Sequence, residues 1–378
     1  MRLPLRLLAL PTSLALTAAI VGTAVAPSEG GDHAVTPRTT DLRSSVGAAS
    51  ADSCSGNAAA RLAAQRDRGV SYDFLMGRTF KGKATAVGSR AIVLDEGLYP
   101  LYDFTAGAAK QDSGRVGRAA VGLIGAGSAK TTLELEPDSS SRAAAVPKVE
   151  YEVNPLNVLR VSSAKPVVGG FTLAGTDQGH TYNGLRLERS TGAQVTDVHV
   201  TGIRGDMDRP PGETFGINDF KTVGSQYSHI EVDGSGVGAA GFAANGSQDI
   251  TVCASSSHDN PVSMGFAFWS VKNITLIDCT ATDNGFTGFN FERVSGDVVL
   301  KNPVAKNNRW DMRVVSDLGS AKYTIIDPDL SHTQVPGMWT VEVPSTYWQK
   351  PSLQKRQDIT LIVDGKQRPD LLRFVTPY

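Results

Sequence analysis

The chain has 378 residues, with 37 Lys or Arg against 38 Asp or Glu, so its formal net charge is −1. Without a strong positive field it lacks the attraction on which nucleic-acid binding depends, and we expect no nucleic-acid partner. Three cysteines permit one disulfide at most, and a chain of this length is long for one globular core but normal for one solenoid.

The N-terminal residues predict export. Arg2 and Arg6 precede an apolar stretch that ends in Ala-Val-Ala at 24–26, so residues 1–26 are predicted to be a signal peptide and the protein to be secreted and extracellular. A retained membrane anchor is the alternative. No other segment approaches the roughly 18 uninterrupted apolar residues of a membrane span. Residues 27–52, rich in Gly, Ser, Thr, Pro and Ala, predict a flexible leader.

The remaining residues, 53–378, are predicted to form a single domain. One segment, 56–68, has a helical composition, and we expect this short helix to cover the open end of a solenoid within an N-terminal cap at 53–120. Residues 121–135 resemble an opening coil, and 158–161 with 170–173 the next. The strand at 359–363 then lies within a C-terminal cap at about 330–378.

Between these ends, short segments recur in one pattern. Their aligned glycines are Gly184, Gly216, Gly241, Gly265 and Gly288, and Asp311 takes the sixth place, so the steps are 32, 25, 24, 23 and 23 residues. A recurring step of this size indicates stacked supersecondary units. Each unit has two runs of alternating apolar residues separated by turn-forming residues, which indicates strands. The pattern predicts an all-β fold, a right-handed parallel β-helix with a short N-terminal capping helix.

A second alignment concerns asparagines. Asn260, Asn284 and Asn308 each stand ten residues beyond the start of a second strand, at Ile250, Ile274 and Val298. Stacked at one turn, they would form a hydrogen-bonded ladder. The alternative is that turn-forming residues recur there only because asparagine tolerates turn backbone.

The alignment also predicts which side chains face outward. If the apolar residues after each glycine point inward, their neighbours line one long sheet face, because parallel strands stack about 4.8 Å apart. Aromatic, amide, acidic and basic groups together suit a sugar chain, although a solvated sheet face also carries charges. The predicted substrate-binding residues are Glu188, Asn218, Phe220, Asn245, Trp269, Asn290 and Arg293.

Four carboxylates are candidate catalytic groups: Asp206, Glu213, Asp219 and Glu292. The first two lie in the longest insertion, where Asp206 and Asp208 could also hold Ca²⁺ through oxygen ligands, or the acids could instead pair with neighbouring arginines. Asp219 occupies an inward position, so either the strand bulges and presents it outward or it bonds to a group inside.

The histidines and cysteines leave further alternatives open. His180, His199, His229 and His258 could act as bases, or be ordinary solvated or hydrogen-bonded side chains. Cys253 and Cys279 lie in neighbouring repeats but are offset by two positions, so a bridge between them would require a local bulge. The alternative is that both are buried thiols, with Cys54 free.

The repeats and the asparagine alignment resemble the pectin-lyase-like superfamily of right-handed parallel β-helix proteins over roughly residues 90–330. The segments 125–132, 210–218 and 288–294 look like β-helix proteins of actinobacteria and of phage tails. The resemblance implies the fold, and proteins that engage glycans along one sheet face: polysaccharide lyases, glycoside hydrolases, esterases and tailspikes. The catalytic motifs of polygalacturonases and calcium-dependent lyases are missing from this sequence. Two functions stay open, a secreted polysaccharide lyase or glycoside hydrolase and a non-catalytic glycan-binding or adhesion protein.

Overall fold

A computed structural model describes residues 51–71, 90–101, 115–116, 122–135, 157–175, 183–203, 214–235, 239–315, 321–331, 339–342, 359–368 and 373–375. The predicted signal peptide, almost all of the predicted leader and the insertion at 204–213 lie outside these residues.

One helix and 26 strands occur in the described residues. The helix α1 is Ala51–Asp67. The strands of the first half are β1 (Val70–Ser71), β2 (Ala91–Val93), β3 (Gly97–Leu101), β4 (Arg115–Val116), β5 (Gly122–Ile124), β6 (Thr131–Leu135), β7 (Asn157–Val161), β8 (Val167–Ala174), β9 (Asn183–Glu188), β10 (Gln194–Thr201), β11 (Phe215–Phe220), β12 (Gln226–Asp233) and β13 (Ala240–Asn245). Those of the second half are β14 (Gln248–His258), β15 (Met264–Trp269), β16 (Lys272–Thr282), β17 (Thr287–Glu292), β18 (Ser295–Lys301), β19 (Val304–Lys306), β20 (Trp310–Val315), β21 (Ala321–Ile326), β22 (Asp329–Ser331), β23 (Trp339–Glu342), β24 (Ile359–Val363), β25 (Lys366–Gln367) and β26 (Arg373–Val375).

The strands form two long sheets that the chain visits in turn. Sheet A has 16 strands and contains the second strand of each repeat, and sheet B has 10 strands and contains the strand that follows each aligned glycine. Neighbouring strands pair in parallel throughout both sheets, except for the antiparallel hairpin of β24 and β25. Each repeat is therefore one coil of a right-handed parallel β-helix, as the sequence predicts.

Sheet A bends in six successive coils at a column of residues with positive φ. In each of these coils one residue with φ between 45° and 55° divides the sheet A segment into two parts. We call the part before this residue the first limb and the part after it the second limb. These residues are Asp197, His229, Ala254, Asp278, Asn302 and Asp327. Left-handed backbone at a single residue turns the chain sharply, and Asn and Asp tolerate it best among the non-glycine residues. The column thus supplies one corner of each of these six coils.

The asparagine ladder forms as predicted. Asn260 Nδ2 donates to Asn284 Oδ1 at 2.7 Å, and Asn284 Nδ2 donates to Asn308 Oδ1 at 2.9 Å. The same amide nitrogens of Asn284 and Asn308 also donate to the backbone carbonyls of Ser257 and Ala281. All three asparagines are buried, so these bonds satisfy polar groups that water does not reach.

The ladder also explains three of the five recurring glycines. In three successive coils a Cβ at the glycine position would stand only 2.8 to 3.0 Å from the amide nitrogen of the ladder asparagine. The pairs are Gly241 with Asn260, Gly265 with Asn284 and Gly288 with Asn308. Real Cβ atoms do not approach other atoms this closely without displacing them. In these three coils the glycine and the asparagine therefore recur together because of the same packing constraint.

The core runs along the inside of the coil. Phe266 stacks on Phe289 with ring centroids 5.4 Å apart, and Phe268 stacks on Phe291 at 5.3 Å. All four rings are buried. Equivalent residues of successive coils therefore lie directly above one another, and the burial of such large apolar side chains is the main favourable term in the stability of the coil.

Helix α1 is the helix that the sequence predicts, but it lies along the flank of the coil and not across its end. It contacts five strands of sheet A along the axis, β2, β8, β10, β12 and β14, and β5 lies between the first two. Leu62 packs on Ala91, Ile124 and Val167, and Arg66 Nη1 donates to the carbonyl oxygen of Leu94 at 3.0 Å. A helix of 17 residues is about 25 Å long, which matches the five strand spacings between β2 and β14, about 24 Å in all.

Two further expectations concern the C-terminal end and the cysteines. Coils continue beyond Asp311, because β23, β24 and β26 still pair in parallel with the preceding strands of their sheets.

The bridge between Cys253 and Cys279 is not formed: Cys279 is a free, buried thiol, while Cys253 is disulfide-bonded. Among the described residues, no helix is long and apolar enough to cross a membrane.

Candidate functional site

The C-terminal ends of five sheet B strands place a column of polar and aromatic side chains on the outer face. The register pairs each member with the next, and the members are Glu188, Phe220, Asn245, Trp269 and Glu292. We call this set the end column. It covers four strand spacings, or about 19 Å along the axis. The sequence predicts this column correctly as a set of vertical neighbours.

Trp269 and Glu292 form the most defined part of the end column. Trp269 Nε1 donates to Glu292 Oε2 at 3.0 Å, and the indole meets the ring of Phe215 edge-on with centroids 5.9 Å apart. Arg293 Nη2 lies 3.7 Å from Glu292 Oε1. Trp269 and Glu292 are half-buried, so their orientation is fixed by protein contacts while part of each surface remains in contact with solvent.

The other end of the column is held by cations. Glu188 pairs closely with Arg160, and Arg186 Nε stands 3.6 Å from the same carboxylate. The guanidinium of Arg186 lies 4.4 Å from the ring centroid of Phe220, and Lys221 Nζ lies 4.9 Å from it. Cations at such distances are attracted to the aromatic ring, so they occupy positions that a stacked sugar would need on Phe220.

The middle column of the same face is buried, contrary to expectation. Its members Asn218 and Asn290 were predicted to contact a ligand, yet both are almost fully covered. Between them lie Ala243 and Ala267, which pack under larger neighbours on the same face, Phe215, Met264 and Trp269. A residue that points away from the core is thus not exposed when longer side chains lean over it.

The two buried amides are incompletely bonded. Asn218 Nδ2 donates to Asn183 Oδ1 at 2.9 Å, but Asn218 Oδ1 and Asn290 Nδ2 have no hydrogen-bond partner among the described residues. Buried amide groups without a partner are costly, and they are rare in folded proteins. One acceptor and one donor are therefore available beneath the surface of this face.

Asp219 lies inside the coil. It is fully buried and accepts hydrogen bonds from the hydroxyls of Thr222, Tyr227 and Ser247, the last at 2.6 Å. Burial raises the pKa of Asp219 above its usual value, and these hydroxyl donors offset part of the increase. Of the two alternatives, the structure has the inward carboxylate bonded to internal groups. Asp219 consequently does not reach the outer face, where a polymeric substrate would lie.

The remaining predicted acids do not supply a catalytic pair among the described residues. Asp206, Asp208 and Glu213 lie outside them, so the proposed Ca²⁺ site stays a prediction. Glu188 and Glu292 stand at opposite ends of the end column, about 19 Å apart by strand spacing. Glycoside hydrolysis uses two carboxyl groups about 5 to 9.5 Å apart, which this pair does not satisfy.

A second polar cluster, which sequence analysis missed, lies on the outer face of the second limb of sheet A. One nitrogen of His199 and one carboxylate oxygen each of Glu231 and Asp233 lie within 4.8 Å of one another. The signal was available: the register of β10 and β12 follows from aligning the second strands, and it pairs His199 with Glu231.

No protein-family model matches the sequence, and no curated protein matches it. Several solved structures are similar in fold. A periplasmic alginate epimerase, AlgG, has 10% identity and a TM-score of 0.45, over 82% of this chain and 80% of that one. The A-module of the Azotobacter vinelandii mannuronan C-5 epimerase AlgE4 has 13% identity and a TM-score of 0.35, over 76% and 77%. The enzymatically active domain of bacteriophage CBA120 tailspike protein 2 has 11% identity and a TM-score of 0.38, over 75% and 48%. Similarity at this level carries no argument about function.

Proposed function

We propose that this protein is an exported, non-catalytic glycan-binding protein that holds a polysaccharide along the outer face of sheet B. The observation that supports this most strongly is the end column, in which Trp269 is oriented by a bond to Glu292 within a polar, half-buried surface about 19 Å long. A linear polymer suits a surface built from equivalent positions of successive coils.

The chemistry of the column fits a sugar. The apolar C–H face of a sugar ring can pack on the indole of Trp269, since half-exposed aromatic groups offer large contact area at small entropic cost. Sugar hydroxyls can bond to the Glu292 carboxylate and to the amide of Asn245.

The rim of the face favours an acidic glycan. Directly after the end column, each coil turns at a residue with positive φ, and three of these rim residues are the cations Arg189, Lys221 and Arg293. The side chains of Arg189 and Arg293 are 71% and 39% exposed. Together with Arg160 and Arg186, five cations face the two carboxylates of the column. The excess positive charge attracts sugar carboxylates or sulfates, and guanidinium groups bind them in a bidentate geometry.

On the outer face of sheet B, binding is favoured over hydrolysis because the described carboxylates there, Glu188 and Glu292, stand about 19 Å apart, and Asp219 lies inside the coil. Export is supported by the N-terminal sequence and by the disulfide bond of Cys253, since disulfides persist in oxidising compartments.

The proposal is tested with a panel of acidic and neutral polysaccharides, measured by calorimetry and by retardation in polysaccharide-containing gels. We expect binding to an acidic member, weakened at least tenfold, about 1.4 kcal/mol, by Trp269→Ala. The matched control is Leu98→Ala, which removes an exposed apolar side chain, 62% accessible, on a strand of sheet A.

A second pair of variants separates charge from packing. Arg293→Ala should weaken binding to the acidic polysaccharide, while Lys322→Ala, which removes an exposed cation from sheet A, should not. The same samples are assayed for reducing ends and for the absorbance of unsaturated products. Product release by the wild-type protein would overturn the non-catalytic assignment, and equal binding by all four variants would overturn the assignment to sheet B.

A further inference from the structure

The outer face of sheet A carries an array of four ionisable side chains on three neighbouring strands. The register places His199 and Thr201 of β10 beside Glu231 and Asp233 of β12, and Asp233 beside His258 of β14. His199 Nε2 lies 2.8 Å from Asp233 Oδ2, and His258 Nε2 lies 3.2 Å from Glu231 Oε1. Two imidazoles from opposite sides therefore converge on two carboxylates of the central strand.

The neighbours of the array orient it as the outer contacts of a metal site do. His258 Nδ1 bonds to Asp259 Oδ2 at 2.8 Å, which turns Nε2 of the same ring toward Glu231. The hydroxyl of Thr201 donates to Asp233 Oδ1, which leaves Oδ2 directed at His199. A carboxylate behind a ligating histidine and a hydrogen bond to a ligating carboxylate are the usual means by which proteins fix metal ligands.

We propose that His199, Glu231 and Asp233 bind a divalent transition metal of the Zn²⁺ class, with His258 or a water molecule as the fourth ligand. The donor set is an imidazole nitrogen with two carboxylate oxygens, a combination that suits Zn²⁺. With both histidines neutral, the two ligating carboxylates balance the charge of the ion. An ion bound there would replace the hydrogen bond between His199 Nε2 and Asp233 Oδ2.

The spacing of the ligand atoms permits this coordination after small side-chain rotations. Atoms bound tetrahedrally to Zn²⁺ lie roughly 3.3 Å apart, and the three atoms here already lie within 4.8 Å of one another. The side chains of His199, Asp233 and Glu231 are 28%, 25% and 50% exposed, so an ion can enter from solvent and water can complete its coordination. Calcium is disfavoured because it prefers sites made of oxygen ligands alone.

The experiment uses the full exported chain, produced without a histidine tag and treated with chelator. Zn²⁺ is titrated by calorimetry, and Co²⁺ is titrated by its visible absorption, which is sensitive to tetrahedral coordination by nitrogen and oxygen. We expect one equivalent of either ion to bind. His199→Ala and Glu231→Gln should each weaken binding at least about 100-fold, because each removes a ligand and not merely an outer contact.

The control variant is His229→Asn. His229 is an exposed histidine on the same strand as Glu231 and Asp233, and asparagine tolerates its positive φ of 52°. It should bind Zn²⁺ like the wild type. Thermal unfolding without metal shows that each variant is folded. The proposal is overturned by the absence of saturable Zn²⁺ binding, by unchanged affinity in His199→Ala, or by Ca²⁺ binding more tightly than Zn²⁺ without dependence on His199.

Discussion

Replacing Asn284 by Ala removes the central member of the asparagine ladder. Its amide nitrogen donates to Asn308 Oδ1 at 2.9 Å and to the carbonyl oxygen of Ser257 at 3.1 Å, and its Oδ1 accepts from Asn260 at 2.7 Å. All these residues are buried. Each lost bond contributes about 1 kcal/mol net, and a buried group left without a partner costs about 1 to 3 kcal/mol. We therefore expect the free energy of unfolding to fall by about 3 to 5 kcal/mol.

The assay is urea unfolding followed by circular dichroism, combined with hydrogen exchange. Because each coil contacts only its neighbours, amide protection should fall most in β14, β16 and β18, and less in distant coils. The control is Asn273→Gly, which removes exposed hydrogen bonds at a corner with φ of 58° and should change stability by about 0.5 kcal/mol. A loss below about 1 kcal/mol in Asn284→Ala would refute the ladder as a stabilising element.

Three further predictions concern the interior. Gly265→Ala should destabilise the protein by about 1 to 3 kcal/mol in urea unfolding, because its Cβ would stand 2.8 Å from the Asn284 amide nitrogen. The control Gly246→Asn, at a corner with φ of 63°, should not destabilise it. Equal effects of the two substitutions would contradict this prediction. Burial raises the pKa of Asp219, so the folded chain holds that proton more tightly than the unfolded chain, and its stabilising contribution is present below about pH 3.8 and lost as pH rises through the folded-state pKa. The unfolding free energy of the wild type relative to Asp219→Asn should accordingly decrease with rising pH, and an increase would show the sign to be wrong. Burial also raises the pKa of the Cys279 thiol to about 12, so alkylation followed by mass spectrometry should modify it only after unfolding.

The fold was predictable from sequence because its constraints repeat. A glycine is required wherever the ladder amide approaches the backbone, and the asparagine recurs with it, so Gly265 and Asn284 appear as one signal in several coils. The alternation of inward and outward residues follows from strand geometry alone. These features depend on local packing within one coil and its neighbour, which a single sequence aligned on itself displays.

The exposure of the candidate site was not predictable to the same degree. Strand alternation gives the direction of a side chain, but the cover over Asn218 and Asn290 depends on how longer neighbours such as Phe215 lean across the sheet. Whether the Asp219 carboxylate points inward or outward depended on hydroxyl partners from other parts of the coil, which the spacing of the repeats does not reveal. The cluster at His199, by contrast, follows from the register of sheet A, because β10 and β12 keep the same alignment on both sides of the corner residue.

The most direct test of glycan binding on sheet B is the footprint of a bound acidic polysaccharide, measured by hydrogen exchange on the wild-type protein. We predict slowed exchange in the rim segments that contain Arg189, Lys221 and Arg293, and unchanged exchange in the second limb of sheet A around His199. Protection confined to sheet A, or no protection at the rim at saturating polysaccharide, would contradict the assignment of the binding surface.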